Sequence, residues 1–182
     1  MRKFFWSFFE IFETFVIALV AVFLIRTFIA QPFLVSGSSM EPTFYHGNYL
    51  LVDELTYSFR EPQRGEVIVF RYPKDPNSYF IKRIIGLPGE KVILEDGKII
   101  IENSEGVKEL KENYVFSYQK YNKDRLEVAL GSQQYFVLGD NRNFSYDSRS
   151  WGPLERYYIV GLVRLRLWPL NEVMAFNKPV YY

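Results

Sequence analysis

A mainly β fold behind an N-terminal transmembrane helix is what this sequence predicts, and three observations predict it. Residues 4 to 29 form one nearly unbroken apolar and aromatic run. Beyond Pro32 the chain changes to short β-branched and aromatic stretches punctuated by Gly, Pro, Asn and Asp. Within them, VILEDGKIII carries Asp96-Gly97 between two apolar runs, the pair that a type I′ hairpin turn needs for positive φ.

The N-terminal run, FFWSFFEIFETFVIALVAVFLIRTFI from Phe4 to Ile29, is interrupted only by Glu10, Glu13 and Arg26. Its strictly uncharged part, Thr14 to Ile25, rises roughly 18 Å as a helix, less than the ~30 Å hydrocarbon core, so the flanks must contribute. Glu10 and Glu13 share one helical face near one interface and Arg26 can snorkel toward the other, while Phe4, Phe5, Trp6, Phe8 and Phe9 supply an aromatic belt. Arg2 and Lys3 precede the run, so the positive-inside bias keeps the N-terminus cytoplasmic and the remaining chain outside. Two readings compete with an anchor over residues 1–30: a cleavable secretory signal and a buried core helix of a soluble protein. The acids at 10 and 13 interrupt what a cleavable signal keeps apolar, and Ile29-Ala30-Gln31 is a poor cleavage site.

Residues 31–182 read as one β-rich domain on the outer side. Strands are expected over 49–52, 66–71, 79–85, 135–138 and 159–167, each alternating or fully apolar, and their number suggests a folded-over sheet or barrel. The DG hairpin and the charged stretch from Glu102 to Lys123 form a small insertion or cap over about 90–134.

Composition removes several function classes. A formal net charge of +1 gives no bulk attraction for nucleic acid. With no cysteine there is no disulfide, thiolate metal site or thiol nucleophile, and with His46 as the one histidine a zinc centre would need carboxylates almost alone. No metal centre is expected.

Three segments carry possible chemistry. VSGSSMEPTF offers Ser36, Ser38 and Ser39 on a small-residue loop, a pattern that is also an ordinary connection. In FIKRII, strand alternation puts Phe80, Lys82 and Ile84 on one face and Ile81, Arg83 and Ile85 on the other, holding two cations among apolar neighbours. An edge strand with snorkelling cations explains this equally well. On the functional reading, burial lowers the Lys82 pKa and frees an amine to accept a proton; at the unperturbed ~10.4 only about 0.04% would be neutral at pH 7. GDNRNFSYDSRSWG, after the apolar YFVL, brings Ser145 as a possible orienting hydroxyl, with Asp140 and Asp147 able to neutralise Arg83 and Arg149.

SGSSMEPT, then RGEVIVFRYP with FIKRIIGLPGE, then GDNRNFSYDSR, in this order behind an anchor, resemble bacterial type I signal peptidase. The resemblance covers most of the chain, and three strings in sequence are far more specific than any one. It implies a Ser-Lys serine endopeptidase of the bacterial cytoplasmic membrane, single-pass, that removes N-terminal signal peptides from exported preproteins without a cofactor. Matched by motif, Ser39 is the nucleophile, Lys82 the general base and Ser145 the residue that orients the lysine. Asp147 with Arg149 and Asp140 with Arg83 are the structural ion pairs. The oxyanion falls to the backbone N–H of Ser39, because Gly37 stands where some members place a serine hydroxyl. Small side chains, usually alanine, are implied at the first and third positions before the cut. Signal peptides and the lipid bilayer are the implied partners, with Phe28, Phe33, Leu34 and Phe44 as an apolar rim that dips into the bilayer. The short stretch between Lys82 and Gly139 implies a compact member.

Other functions remain to be weighed. A Ser-His enzyme would use His46, which sits in the turn-like Tyr45-His46-Gly47-Asn48. A self-cleaving Ser-Lys repressor lacks its Ala-Gly cut site here. The alternative from another class is a catalytically inactive membrane-anchored β-domain that binds a protein partner.

Overall fold

A chain this rich in short apolar runs needs a sheet with two covered faces, and the computed structural model, which describes residues 2–28, 30–112, 114–115 and 125–176, has one. Helix α1 (Arg2–Phe28) leads into β1 (Ala30–Leu34) and β2 (Tyr49–Asp53), then the short α2 (Thr56–Phe59), β3 (Val67–Tyr72) and β4 (Asp75–Gly86). Four strands follow as a separate sheet: β5 (Lys91–Glu95), β6 (Lys98–Asn103), β7 (Gly106–Glu109) and β8 (Leu126–Ala129). The chain returns through β9 (Gln134–Leu138), the one-turn α3 (Ser148–Trp151), β10 (Leu154–Glu155), β11 (Ile159–Trp168) and β12 (Met174–Ala175). The main sheet runs β1-β2-β11-β3-β4-β9-β10 with β12 on β11; the second runs β7-β6-β5-β8 and is inserted between β4 and β9.

Period-2 alternation sorts the core. On β3, Val67 and Val69 join Met40, Phe44 and Val52 on one face, while Ile68 and Phe70 join Ile84, Tyr135 and Leu162 on the other. Both faces are covered, which is why VIVF reads as a continuous apolar run. On β9, Tyr135 and Val137 share the second cluster, whereas Phe136 and Leu138 join Val92, Leu94, Ile99 and Ile101 of the inserted sheet. The β5–β6 turn has Asp96 at φ 49° and Gly97 at φ 78°, the left-handed pair that the DG signal requires. Gly161 lets β11 cross β2 closely, since a Cβ there would lie 2.6 Å from the Asp53 carbonyl oxygen.

Three parts differ from the sequence expectation. Strand β1 was not expected because Pro32 reads as a breaker; it lies at the sheet edge, paired with Leu51, where a missing N–H is tolerated. β7 is short, fully exposed and half charged, with no apolar pattern to announce it, and β8 does alternate, with Leu126 and Val128 on the inserted core, but is only four residues long. Phe44 is no part of an exposed rim: it is fully buried beside Met40 and stacks near Phe176. Leu34, by contrast, is 56% exposed and Phe33 half-buried.

Among the described residues no helix is long and apolar enough to cross a membrane. Every α1 side chain that is described, including Ile11, Phe12, Phe15, Ile17 and Leu19, is exposed. The side chains of Arg2, Lys3, Phe4, Phe5, Phe8, Arg26 and Phe28, and the expected cap residues 116–124, lie outside what is described.

Candidate active site

Strand β4 presents two adjacent cations to opposite faces. Lys82 and Arg83 are 4% and 5% exposed, so each has to find partners inside the protein. Lys82 Nζ donates to Ser39 Oγ at 2.8 Å and to the Ile81 carbonyl oxygen at 2.8 Å. The Phe80 ring lies 5.5 Å from Nζ and is stacked on Tyr72, so the apolar wall beside the amine is itself braced. Burial holds the Lys82 pKa down, to about 8, against the opposing pull of Asp147 and Asp140. Roughly one amine in ten is then neutral at pH 7. A neutral amine can accept the Ser39 proton along this same hydrogen bond.

Ser39 stands on a tight turn between β1 and β2. The turn is pinned from the loop after β9, where Asn141 N–H donates to the Ser39 carbonyl oxygen at 3.0 Å and Asn141 Nδ2 to that of Ser38 at 3.1 Å. Gly37 has φ 92°, a conformation that disfavours any residue with a Cβ, so the backbone here selects glycine rather than serine. His46 is exposed; its Nδ1 accepts the Gly37 N–H at 3.3 Å, and no hydrogen bond links it to Ser39 among the described residues. Ser36 is exposed and Ser38 half-buried on the same turn.

The loop of residues 139–152 is held by three ion pairs, made by Asp140, Arg142 and Asp147. Arg83 binds Asp140 through Nε–Oδ1 at 2.8 Å and Nη2–Oδ2 at 2.6 Å, while its Nη1 donates to the Gly65 carbonyl oxygen. Thr43 Oγ1 donates to the same Asp140 carboxylate, which ties the nucleophile turn to the pair. Asp147 accepts Arg149 through both oxygens at 2.7 Å, accepts the Gly139 N–H, and caps α3 through the Arg149 N–H. Ser145 Oγ is buried without a hydrogen-bond partner among the described residues. It lies against Gly139: a Cβ there would sit 2.2 Å from Ser145 Oγ and 2.4 Å from the Ser39 carbonyl oxygen. Only glycine lets the chain pass between them.

A cleft of about 630 Å³ opens over Lys82 and Ser39, walled by residues 33–39 on one side and 78–82 on another, with Phe144 and Tyr146 contributing from the 139–152 loop. The structure thus brings Ser39, Lys82, Asp140 and Arg83 into one network, with Asp147 and Arg149 beside it. Sequence reasoning passed over Thr43, Asn141, Arg142 and Glu112, which meets Arg142 from the segment after β7. Asn141 and Arg142 lie within the GDNR string and were legible as polar loop residues, but their partners are distant in sequence and nothing local names them.

The family described as signal peptidase, peptidase S26, matches residues 8–168. A protein of Synechocystis sp. named probable signal peptidase I-2 is 38% identical over 169 residues, covering 90% of this chain and 75% of that one. Signal peptidase I of Leptolyngbya laminosa is 39% identical over 166 residues, 87% of this chain and 78% of that one. A crystal structure of a signal peptidase I from Enterococcus faecalis V583 is 30% identical, covers 57% of this chain and 97% of that one, and has a TM-score of 0.48.

Proposed function

The chain belongs to the signal peptidase, peptidase S26, family, and we propose that it is a serine endopeptidase that removes N-terminal signal peptides from preproteins, with Ser39 as nucleophile and Lys82 as general base. The observation that carries the residue assignment is the 2.8 Å contact between Lys82 Nζ and Ser39 Oγ at a buried position. Neutral Lys82 takes the Ser39 proton as Oγ attacks the scissile carbonyl, forming the new C–O bond. The protonated amine then gives that proton to the departing nitrogen as the C–N bond breaks, leaving an acyl ester on Ser39. Water, losing its proton to Lys82, hydrolyses the ester and restores the hydroxyl. The Ser39 backbone N–H is the proposed oxyanion donor, while Gly37 supplies only backbone. Ser145, whose buried hydroxyl faces Gly139 and Ser39, is the proposed orienting group, and the pairs Arg83–Asp140 and Arg149–Asp147 fix the loop that carries it.

The finer placement is also a proposal. A 27-residue helix whose described apolar side chains are all exposed needs an apolar medium around it, which supports residues 1–30 as a bilayer anchor. With the N-terminus cytoplasmic, residues 31–182 form the catalytic domain on the outer side of a bacterial plasma membrane, with about 90–134 as an insertion. An inactive partner-binding β-domain would need no depressed lysine beside a serine.

Incubation with a preprotein carrying alanine at the first and third positions before the cut tests the dyad. Wild type is expected to cleave, and Ser39→Ala and Lys82→Met to lose at least about a thousandfold in rate. Cleavage by either variant at the wild-type rate would overturn the assignment.

A further inference from the structure

The segment leaving β7 reaches back to the catalytic loop and places two side chains there. Leu110 closes the inserted core by donating its N–H to the Ile99 carbonyl oxygen. Two residues on, the Glu112 side chain is fully buried; its Oε1 accepts both the Tyr114 hydroxyl and Arg142 Nη2. Arg142, itself buried, donates through Nε to the Gly139 carbonyl oxygen at 3.0 Å. Tyr114 packs on the inserted core, and its ring carries the Arg83 guanidinium 4.1 Å from its centroid. The face of Arg83 is thus covered by an aromatic ring from the insertion while its edge grips Asp140.

We propose that Tyr114, seated by Glu112, is a positioning residue for the base: it fixes the Arg83–Asp140 pair and through it the surroundings of Lys82, so that the inserted sheet is a working part of the active site. The proposal rests on the Ser39–Lys82 reading. Its physical content is electrostatic. Asp147 and Asp140 both favour the charged ammonium of Lys82 and Arg149 disfavours it, while Arg83, next along the strand, is paired with Asp140. Ser39, from the facing turn, offers only a neutral hydroxyl. Without the ring, water reaches the face of Arg83 and loosens its grip on Asp140. Both changes favour the ammonium and push the acid limb of activity to higher pH.

The test is the pH profile of kcat/KM for full-length enzyme in detergent micelles, with a signal-peptide substrate carrying alanine at the two recognised positions. Tyr114→Leu is expected to move the acid limb up by about half to one pH unit, so that the rate at pH 7 falls roughly three- to tenfold while the alkaline plateau is kept. Tyr114→Phe, which keeps the ring face but gives up the hydroxyl's bond to Glu112, is expected to hold the limb closer to the wild-type position than Tyr114→Leu does. Tyr114→Met refills most of the ring's volume and carries the same test if the leucine variant is unstable. A limb that stays in place, whether the rate is unchanged or uniformly lowered, overturns the proposal. Lys82→Met run in parallel separates the two readings, since cleavage by it sinks the dyad itself and not merely the role of Tyr114.

Discussion

Lys82 is held where a charged ammonium is costly, on a covered strand face with Phe80 beside it, and two measurements follow from that. Activity needs the neutral amine, so kcat/KM is expected to rise with pH through a midpoint near the group's depressed value of about 8. A midpoint above about 10 would show that burial does not act on the base. Stability carries the opposite signature to a salt-bridged lysine. The folded pKa lies below the unfolded one, so between about 8 and 10.5 the unfolded chain binds more protons and stability rises with pH. Lys82→Met removes the charging cost and is expected to stabilise the fold at pH 7 by on the order of 1 kcal/mol, with the gain shrinking at alkaline pH. A variant that melts below wild type at pH 7 contradicts this. The alternation of FIKRII made both buried cations legible in the sequence. Their partners were not legible from spacing: Asp140 lies 57 residues from Arg83, and its match came only through a resemblance between whole motifs.

At the scale of elements, the 139–152 loop organises the site, and Gly139 is its tightest point. Its φ is not the reason for glycine here; the reason is the space left between Ser145 Oγ and the Ser39 carbonyl oxygen. Gly139→Ala is expected to push the loop off the nucleophile turn, weaken the Asn141 hydrogen bond to Ser39, and cost at least about a hundredfold in kcat with a smaller change in KM. Wild-type kcat would show that the loop can move aside without consequence. Turn residues crowding GDNRNFSYDSR mark a loop after a strand, so its existence was legible, whereas a steric need for glycine depends on a neighbour 100 residues away. The same distinction explains the strands. The longer strands buried on at least one face announced themselves by period, the four-residue β8 was too short to do so, and β1, with its edge proline, and the charged β7 obey tertiary position rather than local preference.

For the whole molecule, the path from α1 to Ser39 is short and partly stiff. The helix ends at Phe28, β1 begins at Ala30, and β1 is paired along its whole length with β2 before the chain enters the nucleophile turn. Eleven residues separate Phe28 from Ser39, which at full extension reach no more than about 40 Å, and the turn at Ser39 shortens that. If α1 is the anchor, Ser39 therefore works within a few tens of ångströms of the bilayer surface, close to where a membrane-held signal peptide presents its cut. The exposed Leu34, between the helix and the cleft, lies on this path. Inserting a flexible Gly/Ser segment of about 20 residues between Ile29 and Ala30 lets the domain drift, adding an r.m.s. reach of roughly 25 Å. Cleavage of a membrane-inserted preprotein is then expected to slow by about tenfold as the effective concentration falls, while a soluble peptide substrate is cut at the wild-type rate because Ser39, Lys82 and the 139–152 loop are untouched. Comparing the two substrates in reconstituted vesicles isolates the tether from the chemistry. Equal slowing of both would mean that the insertion had disturbed β1 itself, and no slowing of either would mean that the anchor does not set the height of the active site.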